Sequence, residues 1–380
     1  MRWFLLFLLG SFIIIVGGAY LTNRYPSTAP SEIKSNVIKE VDNEDYEWQI
    51  EVIVRNLEVP WDMGLSGNQD LFITERLGKV KLLKSSGKLI NIATLKNVYS
   101  KGESGLTGIA LHPNFSTNNL LYLYYSYQNN GQVLNRVSQF TFEKNSLKGE
   151  KVILDNLPGG LIHNGGRLRF GPDGKLWVLT GDAGNENLAQ SLSSLGGKVL
   201  RLNDDGSVPD DNPIKNSAIY SYGHRNPQGL DWSPEGRELY VSEHGSSNFD
   251  EINIVKANQN YGWPQVSRCF SDDPRFQNPI LCSEETTWAP SGLAFLKTDL
   301  PKYKNSFVFA GLRGQILERV KVENGKVVEQ ETIIREEYGR LRGVLSDEKG
   351  SIYISTSNKD GRGTIKGGDD KILKITLRKK

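Results

Sequence analysis

A strand-turn-strand unit recurs six times along this chain, and this repeat restricts the possible folds more than any other feature of the sequence. Each copy has an apolar strand, a turn containing Pro, Asp, Asn or Gly, and a second strand rich in Tyr, Trp, Val and Ile. The copies begin at Val59, Leu106, Gly166, Pro227, Pro290 and Arg340. Further strand-like segments lie between the copies, at 136–142, 198–203, 250–255 and 371–376.

A repeat of this size cannot bury both faces of its sheet alone, so it must stack on its neighbours, and sheets stacked around a ring form a β-propeller. We therefore predict an all-β fold: a six-bladed β-propeller of four-stranded antiparallel blades. Few helical patterns compete after Asp45, whereas the 39 glycines and turn dipeptides such as Asp173-Gly174 favour short strands. A β-sandwich is the alternative, but it does not explain why one motif recurs six times.

The N-terminus has a different composition from the repeats. Residues 3–21 are an uncharged apolar run of 19 residues, close to the ~20 that a membrane-spanning helix needs. No clear small-x-small cleavage site follows, so the pattern favours an uncleaved anchor over a cleaved signal peptide. We predict a hydrophobic signal or anchor helix in residues 1–21, a polar tether in 22–45 and the propeller in 46–380. The protein would then be exported, periplasmic or extracytoplasmic, with residues 3–21 as its membrane tether.

Charge and cysteine content add two weaker constraints. The chain has 46 basic and 44 acidic side chains, a balance that gives no reason to expect nucleic acid or another strongly charged partner. Its two cysteines, Cys269 and Cys282, lie in one loop-like stretch. In an oxidising compartment they could form a disulfide, and two free buried thiols are the alternative.

The four histidines are predicted at strand ends, where loops meet the ring's face: His112, His163, His224 and His244. A histidine in a loop is by default a hydrogen-bonded structural residue. His163 is the best candidate for an exception, because Asp182 ends the next strand of the same blade and an antiparallel pair can bring both to one edge. Such a carboxylate would orient the imidazole and keep it basic.

Arginines form a second candidate group, in Arg225-Asn226, at Arg313, and in Arg340-Leu341-Arg342. Alternation along a strand places Arg340 and Arg342 on one face, and two adjacent guanidinium groups repel unless an anion lies between them. A polycarboxylate ligand would supply that anion, since guanidinium groups bind carboxylates in a bidentate manner. Surface salt bridges to nearby glutamates (Glu336 or Glu337) are an equally good interpretation of the same pattern.

The loop-rich segment 243–264 is the third candidate. Glu251, together with backbone carbonyls in Gly-rich turns, suits calcium, which accepts six to eight oxygen ligands in flexible geometry. The segment lacks the acidic spacing of an EF-hand. The chain also shows no zinc-ligand spacing, no Gly-rich nucleotide loop and no GxSxG motif.

From about Val59 to Thr376 the sequence resembles the soluble PQQ-dependent glucose and aldose sugar dehydrogenases. The resemblance depends on seven motifs in the family's order: GESGLTGIALHPNF, HNGGRLRFGPDGKLWVLTGD, YSYGHRNPQGLDW, SEHG with DEINIV and NYGWP, APSGLAF, GLRGQI and RLRGV. The resemblance implies PQQ and calcium (Ca2+) as cofactors. It also implies oxidation of an aldose sugar at the anomeric carbon to the lactone, with hydride passing to PQQ.

The resemblance assigns a role to most of the candidate residues. His163 would be the general base and Asp182 would orient it. The residues that would bind the cofactor are Glu103, Arg225, Asn226, Arg313, Arg340 and Arg342. The carbonyls of Gly245 and Ser246 would bind the active-site calcium, and Glu251 and Tyr261 a second, structural calcium. Glu103 stands where some members have glutamine, and Ser246 replaces a common proline.

Two questions remain open at the level of sequence. The electron acceptor would be a membrane quinone or a periplasmic electron carrier. The main alternative function is a non-catalytic extracytoplasmic propeller that binds a protein or glycan partner; a calcium-dependent propeller hydrolase is a second. His163 together with Arg225, Arg340 and Arg342 favours the enzyme, since binding propellers lack this constellation and a hydrolase does not need several arginines around one point.

Overall fold

The computed structural model describes residues 46–380, which form six four-stranded sheets with every strand pairing antiparallel to its neighbour in the sheet. The first strand, β1 (Tyr46–Val54), belongs to the last sheet. The first three sheets, blades I to III, consist of β2 (Pro60–Leu65), β3 (Leu71–Glu75), β4 (Lys79–Leu83) and β5 (Leu89–Thr94); β6 (Leu106–Leu111), β7 (Leu120–Asn129), β8 (Gln132–Glu143) and β9 (Ser146–Pro158); and β10 (Leu168–Phe170), β11 (Leu176–Thr180), β12 (Lys198–Leu202) and β13 (Ile219–Tyr222).

Blades IV to VI complete the ring. They consist of β14 (Pro227–Trp232), β15 (Leu239–Glu243), β16 (Glu251–Val255) and β17 (Leu281–Cys282); β18 (Pro290–Phe295), β19 (Ser306–Gly311), β20 (Ile316–Glu323) and β21 (Lys326–Arg335); and β22 (Leu341–Ser346), β23 (Ile352–Thr356) and β24 (Ile372–Lys379) with β1 at the outer edge. The innermost strands β2, β6, β10, β14, β18 and β22 contact one another in this order, and β22 contacts β2. The predicted six-bladed propeller of four-stranded antiparallel blades is therefore confirmed.

Little helix interrupts the blades. The described chain has the short helices α1 (Phe115–Asn118) and α2 (Asn187–Gln190). Among residues 46–380, no helix has the length and hydrophobicity that a bilayer crossing requires. The predicted signal or anchor helix in 1–21 and the tether in 22–45 lie outside the described residues.

The burial of each strand depends on its distance from the ring axis. The second strand of blade III, β11, has the sequence LWVLT and is buried at every position, because both faces of its sheet pack against neighbouring blades. The outermost strand β21, KVVEQETIIR, alternates between exposed and half-buried positions along most of its length. Continuous apolar runs therefore identify inner strands, and period-two alternation identifies the outer edge.

Close approach at the axis explains why the innermost strands contain glycine. A Cβ atom on Gly108 would lie 2.1 Å from the carbonyl oxygen of Gly166, and one on Gly229 would lie 2.2 Å from that of Ser291. Five of the six innermost strands also have a register shift against their second strand. Glycines and bulges together let the six inner strands converge without clashes.

A buried ionic cluster lies among the inner strands. Arg169 donates two hydrogen bonds to the carboxylate of Asp62, at 2.9 and 3.0 Å, and Arg167 forms an ion pair with the same carboxylate. The Arg167 guanidinium also stacks on the Trp61 ring at 4.3 Å. Burial raises the pKa of Asp62, but the two guanidinium groups outweigh it and hold this pKa below its usual value. The cluster therefore stabilises the blade I to blade III contact with a charged carboxylate.

Two sets of connections open on the same face of the ring. One set joins the outermost strand of a blade to the innermost strand of the next, and the other joins the second and third strands within a blade. The blade VI pairing fixes where the described chain starts relative to this face. Because Tyr46 pairs with Lys379 and Val54 with Ile372, β1 begins on the opposite face and ends near these connections.

Candidate active site

A cavity of about 750 Å³ opens on the face formed by the two sets of connections, and its floor includes Trp61 and Gln228 of the innermost strands. Eight of the residues proposed from the sequence line it: Glu103, His163, Arg225, Gly245, Ser246, Arg313, Arg340 and Arg342. Asp182, Asn226, Glu251 and Tyr261 do not line it. They lie behind its wall, and their contacts are described below.

The imidazole of His163 is oriented by Asp182. The distance from His163 Nδ1 to Asp182 Oδ1 is 2.8 Å, and the Asp182 side chain is buried. A carboxylate can only accept in this contact, so the neutral imidazole must carry its proton on Nδ1. The lone pair is then on Nε2, the nitrogen that a general base would use.

The carboxylate of Asp182 is itself held by three donors. Oδ1 also accepts a hydrogen bond from the backbone N–H of Gly184 at 2.8 Å, and Oδ2 accepts one from the Trp263 indole N–H at 2.9 Å. Trp263 comes from the segment that follows β16, in the next blade. Trp263 was not predicted as a site residue from the sequence, because no local pattern connects it to Asp182.

The backbone of His163 adopts a left-handed conformation, with φ of +55°. This conformation is costly for a non-glycine residue, and contacts on both sides hold it. The His163 N–H donates to Glu103 Oε2 at 3.0 Å. Two residues later, the Gly165 N–H donates to Asn226 Oδ1 at 3.1 Å. Glu103 and Asn226 therefore position the turn that carries the imidazole.

Glu103 also crosses to blade VI, where its Oε1 accepts a hydrogen bond from Arg362 Nη1 at 2.8 Å. Burial raises the pKa of Glu103, but the His163 N–H and the neighbouring His244 and Arg362 outweigh burial, and the net pKa lies below its usual value. Glu103 is thus an anion with both oxygens engaged. Arg362 compensates the charge of Glu103, which would otherwise repel a ligand that carries carboxylates.

Arg340 and Arg342 lie side by side on the cavity wall, as alternation along the strand predicts. Their partner is Asp360: its Oδ2 lies 2.9 Å from Arg340 Nη2 and 3.4 Å from Arg342 Nη2. The alternative salt bridges to Glu336 or Glu337 do not form; Asp360, on the connection after β23, supplies the carboxylate instead. Burial lowers the pKa of Arg342 to about 10, and Asp360 opposes that shift.

The cavity wall has more cationic groups than carboxylates. Six arginines line it (Arg76, Arg225, Arg313, Arg340, Arg342 and Arg362), against three carboxylates (Glu103, Asp250 and Asp360). Around the cavity, four buried nitrogens lack a hydrogen-bond partner among the described residues 46–380: Arg76 Nε, Arg225 Nε, Asn226 Nδ2 and His244 Nε2. Unsatisfied buried donors are costly, so this set fits an anion with several acceptor oxygens, such as the three carboxylates of PQQ.

His244, for which the sequence predicts a structural role by default, lines the cavity. Burial lowers its pKa to about 4, although Asp250 and Glu103 oppose the shift. At neutral pH the imidazole is therefore uncharged. By contrast, the other buried histidine, His224, is fully engaged: Nδ1 lies 2.8 Å from Glu243 and Nε2 lies 2.8 Å from Ser221.

Backbone carbonyls crowd the turn proposed for the active-site calcium. A Cβ atom on Gly245 would lie 2.0 Å from the carbonyl oxygen of Asn248 and 2.5 Å from that of Phe249. The Ser246 carbonyl lies 3.4 Å from Arg225 Nη2. Within residues 46–380 there is no cluster of three or more His, Cys, Asp or Glu side chains suited to a metal. Any cation at this turn would therefore depend on carbonyl oxygens, which are ligands that calcium accepts.

Glu251 and Tyr261 line a second, much smaller cavity beside the same turn. Glu251 pairs in register with Glu243 across β15 and β16. Burial and the Glu243 carboxylate raise the pKa of Glu251 well above its usual value. The Tyr261 hydroxyl is engaged with backbone, donating to Ile254 O at 2.8 Å and accepting from Lys256 N at 2.9 Å. Of Tyr261, only the backbone carbonyl could be a metal ligand. Glu243 also lines this small cavity and is a further candidate ligand that was not predicted from the sequence.

Cys269 and Cys282 form a disulfide, which decides between the two alternatives left open by the sequence. Cys282 lies in β17, where it pairs with Glu251 of β16. The following residue, Ser283, forms two hydrogen bonds with Asp250. Asp250 N donates to Ser283 Oγ at 2.8 Å, and Ser283 N donates to the Asp250 carbonyl at 2.9 Å. The disulfide thus secures the short strand that supports the candidate cation turn.

Comparison with known proteins agrees with this geometry. The family model for glucose/sorbosone dehydrogenase matches residues 57–367. An oxidoreductase assigned as a glucose dehydrogenase from Thermus thermophilus is 39% identical, with a TM-score of 0.80, covering 87% of this chain and 100% of that one. The PQQ-bound aldose sugar dehydrogenase of Streptomyces coelicolor is 32% identical, with a TM-score of 0.81, covering 88% and 99%. The aldose sugar dehydrogenase of Escherichia coli (strain K12) is 30% identical over 82% of this chain and 91% of its own length. Because the family model spans most of the sequence, the chain belongs to the glucose/sorbosone dehydrogenase family.

Proposed function

We propose that this protein is a PQQ- and calcium-dependent aldose sugar dehydrogenase that oxidises the anomeric carbon to the lactone. The observation that carries the proposal is the position of an oriented imidazole, His163, on the wall of a cavity lined with arginines. The relatives named above include an aldose sugar dehydrogenase and a PQQ-bound structure of one.

His163 would be the general base. Its Nε2 accepts the proton of the anomeric hydroxyl, while the hydrogen on the same carbon leaves with two electrons and the C–O bond becomes a carbonyl. Asp182 stabilises the imidazolium that forms and prevents the ring from turning. Trp263 and Gly184 keep the Asp182 carboxylate in place through their N–H groups.

Bound PQQ would supply the two-electron acceptor for the hydride. Its carboxylates fit Arg340 and Arg342 with Arg313, while Arg225 and Asn226 have unpartnered buried nitrogens nearby. Glu103 would act by holding the His163 turn as well as by bordering the cofactor. Calcium would lie at the carbonyls of Gly245 and Ser246 as a Lewis acid, with a second calcium at Glu251 and the Tyr261 carbonyl.

The cellular setting belongs to the same proposal. The apolar run in residues 3–21 supports export, and the disulfide between Cys269 and Cys282 suits an oxidising compartment. The protein would be periplasmic or extracytoplasmic, anchored through residues 1–21 and the tether 22–45, with the propeller at 46–380.

The experiment is dye reduction by the full-length protein with glucose, PQQ and calcium. Turnover should require PQQ and be lost in His163→Ala. A matched control is His112→Ala: this histidine lies on the opposite face, 3.3 Å from Asp204, and its removal should leave turnover intact. If PQQ neither binds nor supports turnover with any aldose, the enzyme proposal is wrong and the binding-propeller alternative is favoured.

A further inference from the structure

Exposed apolar side chains are concentrated around the mouth of the cavity. Among residues 46–380, eight large apolar side chains are exposed, and five of them lie on the connections that form the cavity face, with 40–63% exposure. These five are Leu77, Leu161, Ile162, Leu192 and Ile365. Single exposed apolar residues are ordinary on a protein surface, but their concentration around one opening indicates an interaction surface.

Four of these side chains, Leu77, Leu161, Ile162 and Ile365, form what we call the rim patch. Hydrogen bonds join the connections that carry them. Glu103 N donates to the Leu161 carbonyl at 2.8 Å, and Arg362 Nη1 donates to Glu103 Oε1 at 2.8 Å. Arg76, beside Leu77, donates from Nη2 to the Asp360 carbonyl at 3.4 Å. The rim patch is therefore held in one arrangement, which lowers the ordering cost of docking.

Exposed basic side chains lie beside the rim patch. Arg362 and Lys366 are exposed on the connection that carries Ile365, and Lys101 is exposed on the β5–β6 connection, which Glu103 N joins to Leu161. Within residues 46–380, the three connections that carry the rim patch have no exposed Asp or Glu. A partner with an apolar centre and acidic residues would therefore be attracted to the rim patch.

The proposed function requires an electron acceptor that can reach the cavity. Each oxidation leaves two electrons in the cavity, and the buried inner strands close its floor. A cavity of about 750 Å³ admits a sugar but no protein, so a protein acceptor must take the electrons at the mouth. We propose that the rim patch is the docking surface for a small, soluble one-electron redox protein with a partly apolar, acidic face; the inference rests on the proposed dehydrogenase function. Two molecules of the redox protein would dock in succession for each sugar oxidised, each taking one electron, while the two protons of the oxidation leave to solvent.

The test compares two electron acceptors with substrate-reduced holoenzyme. The variant Leu77→Ser/Ile365→Ser removes apolar area from the rim patch, and Val152→Ser/Val328→Ser removes similar exposed area from outer strands β9 and β21 as the matched control. The probes are plastocyanin, an acidic one-electron protein, and the basic protein cytochrome c, followed by stopped-flow absorbance. A small dye measures turnover that needs no docking.

We expect the rim variant to reduce plastocyanin on the order of tenfold more slowly at unchanged dye turnover, and the control to match the wild type. Lys101→Glu should slow the same reaction and weaken its dependence on salt. Equal plastocyanin rates in the rim variant and the wild type, or faster reduction of cytochrome c, would overturn the docking proposal. So would rim-dependent binding to phosphatidylserine vesicles, because lipid would then be the occupant. Absence of dye turnover in the wild type would instead refute the dehydrogenase function, and the docking proposal with it.

Discussion

Replacing Asp182 with asparagine tests how the site controls its proton. The carboxylate accepts hydrogen bonds from three donors, His163 Nδ1, Gly184 N and Trp263 Nε1, at 2.8, 2.8 and 2.9 Å. An amide has one oxygen and one NH₂ group, so it cannot accept from both sides. In either orientation the NH₂ group faces a former donor inside a buried site.

The two orientations have different consequences. With NH₂ at the Oδ2 position, it opposes the Trp263 indole N–H, and two buried donors lose their acceptor. With NH₂ at the Oδ1 position, it donates to His163 Nδ1, so the imidazole proton moves to Nε2 and the base is lost. A buried unsatisfied donor costs about 1–3 kcal/mol. General base catalysis contributes about 10²–10⁴-fold.

We therefore expect Asp182→Asn to lower kcat by about 10²–10⁴-fold and to lower the free energy of unfolding by about 1–3 kcal/mol. The Kd for PQQ should change less than about threefold, because Asp182 does not line the cavity. The assay is steady-state dye reduction at saturating PQQ and calcium, alongside a PQQ titration and chemical unfolding. A folded, PQQ-saturated variant with kcat within about tenfold of the wild type would refute the assignment of His163 as a base oriented by Asp182.

Three further changes test the arginines, the axial cluster and the disulfide. Arg342→Met removes a charge-assisted contact worth about 1.5–3 kcal/mol, so a PQQ titration should show Kd raised by about 10–150-fold, and an unchanged Kd would contradict the site. Asp62→Asn leaves Arg167 and Arg169 buried without a counter-ion and should cost about 3–5 kcal/mol in unfolding at pH 7. Because the pKa of Asp62 is lowered in the folded state, its stabilisation is complete above the usual value of 3.8 and is lost as pH falls below it. The difference between wild type and Asp62→Asn should therefore shrink in strong acid, and a constant difference would contradict this reasoning. Cys282→Ser opens the disulfide and should lower the free energy of unfolding by about 2–4 kcal/mol. It should also raise the calcium concentration needed for half-maximal turnover. An unchanged calcium requirement would show that β17 does not support the cation turn.

The blades could be predicted from the sequence because each is built from contiguous strands with their own turns. Inner strands such as β11 are apolar throughout, and turn residues mark their ends, so both the count of six and the strand pattern are local properties. The position of β1 is not local. Its partner β24 lies more than 300 residues later in the chain, and only ring closure brings the two together.

The candidate site was predictable where two residues share a blade. His163 and Asp182 are 19 residues apart in the sequence, before and after one antiparallel strand pair, so the pairing brings both to the same edge. Trp263 and Asp360 reach the site from long connections whose paths depend on packing. The carboxylate opposite Arg340 could therefore not be identified from spacing, which favoured neighbouring glutamates just as well as a ligand.

The balance of charge explains why these separate loops form one site. Six arginines on the cavity wall repel one another, and three carboxylates, Glu103, Asp250 and Asp360, compensate only part of that charge. Asp360 is shared between Arg340 and Arg342, so one carboxylate charge faces two guanidinium charges. Burial lowers the pKa of Arg76 and Arg225, which shows that their charged forms lack full compensation. An arrangement that leaves buried cations short of acceptors is stable in a fold only if the rest of the ring holds it, and the closed six-bladed ring provides that support. Because these buried cations have too few acceptors, the cavity wall should bind neutral apolar molecules poorly and a planar polycarboxylate well. The chemistry of the ligand therefore follows from the guanidinium groups that the protein leaves without a counter-ion.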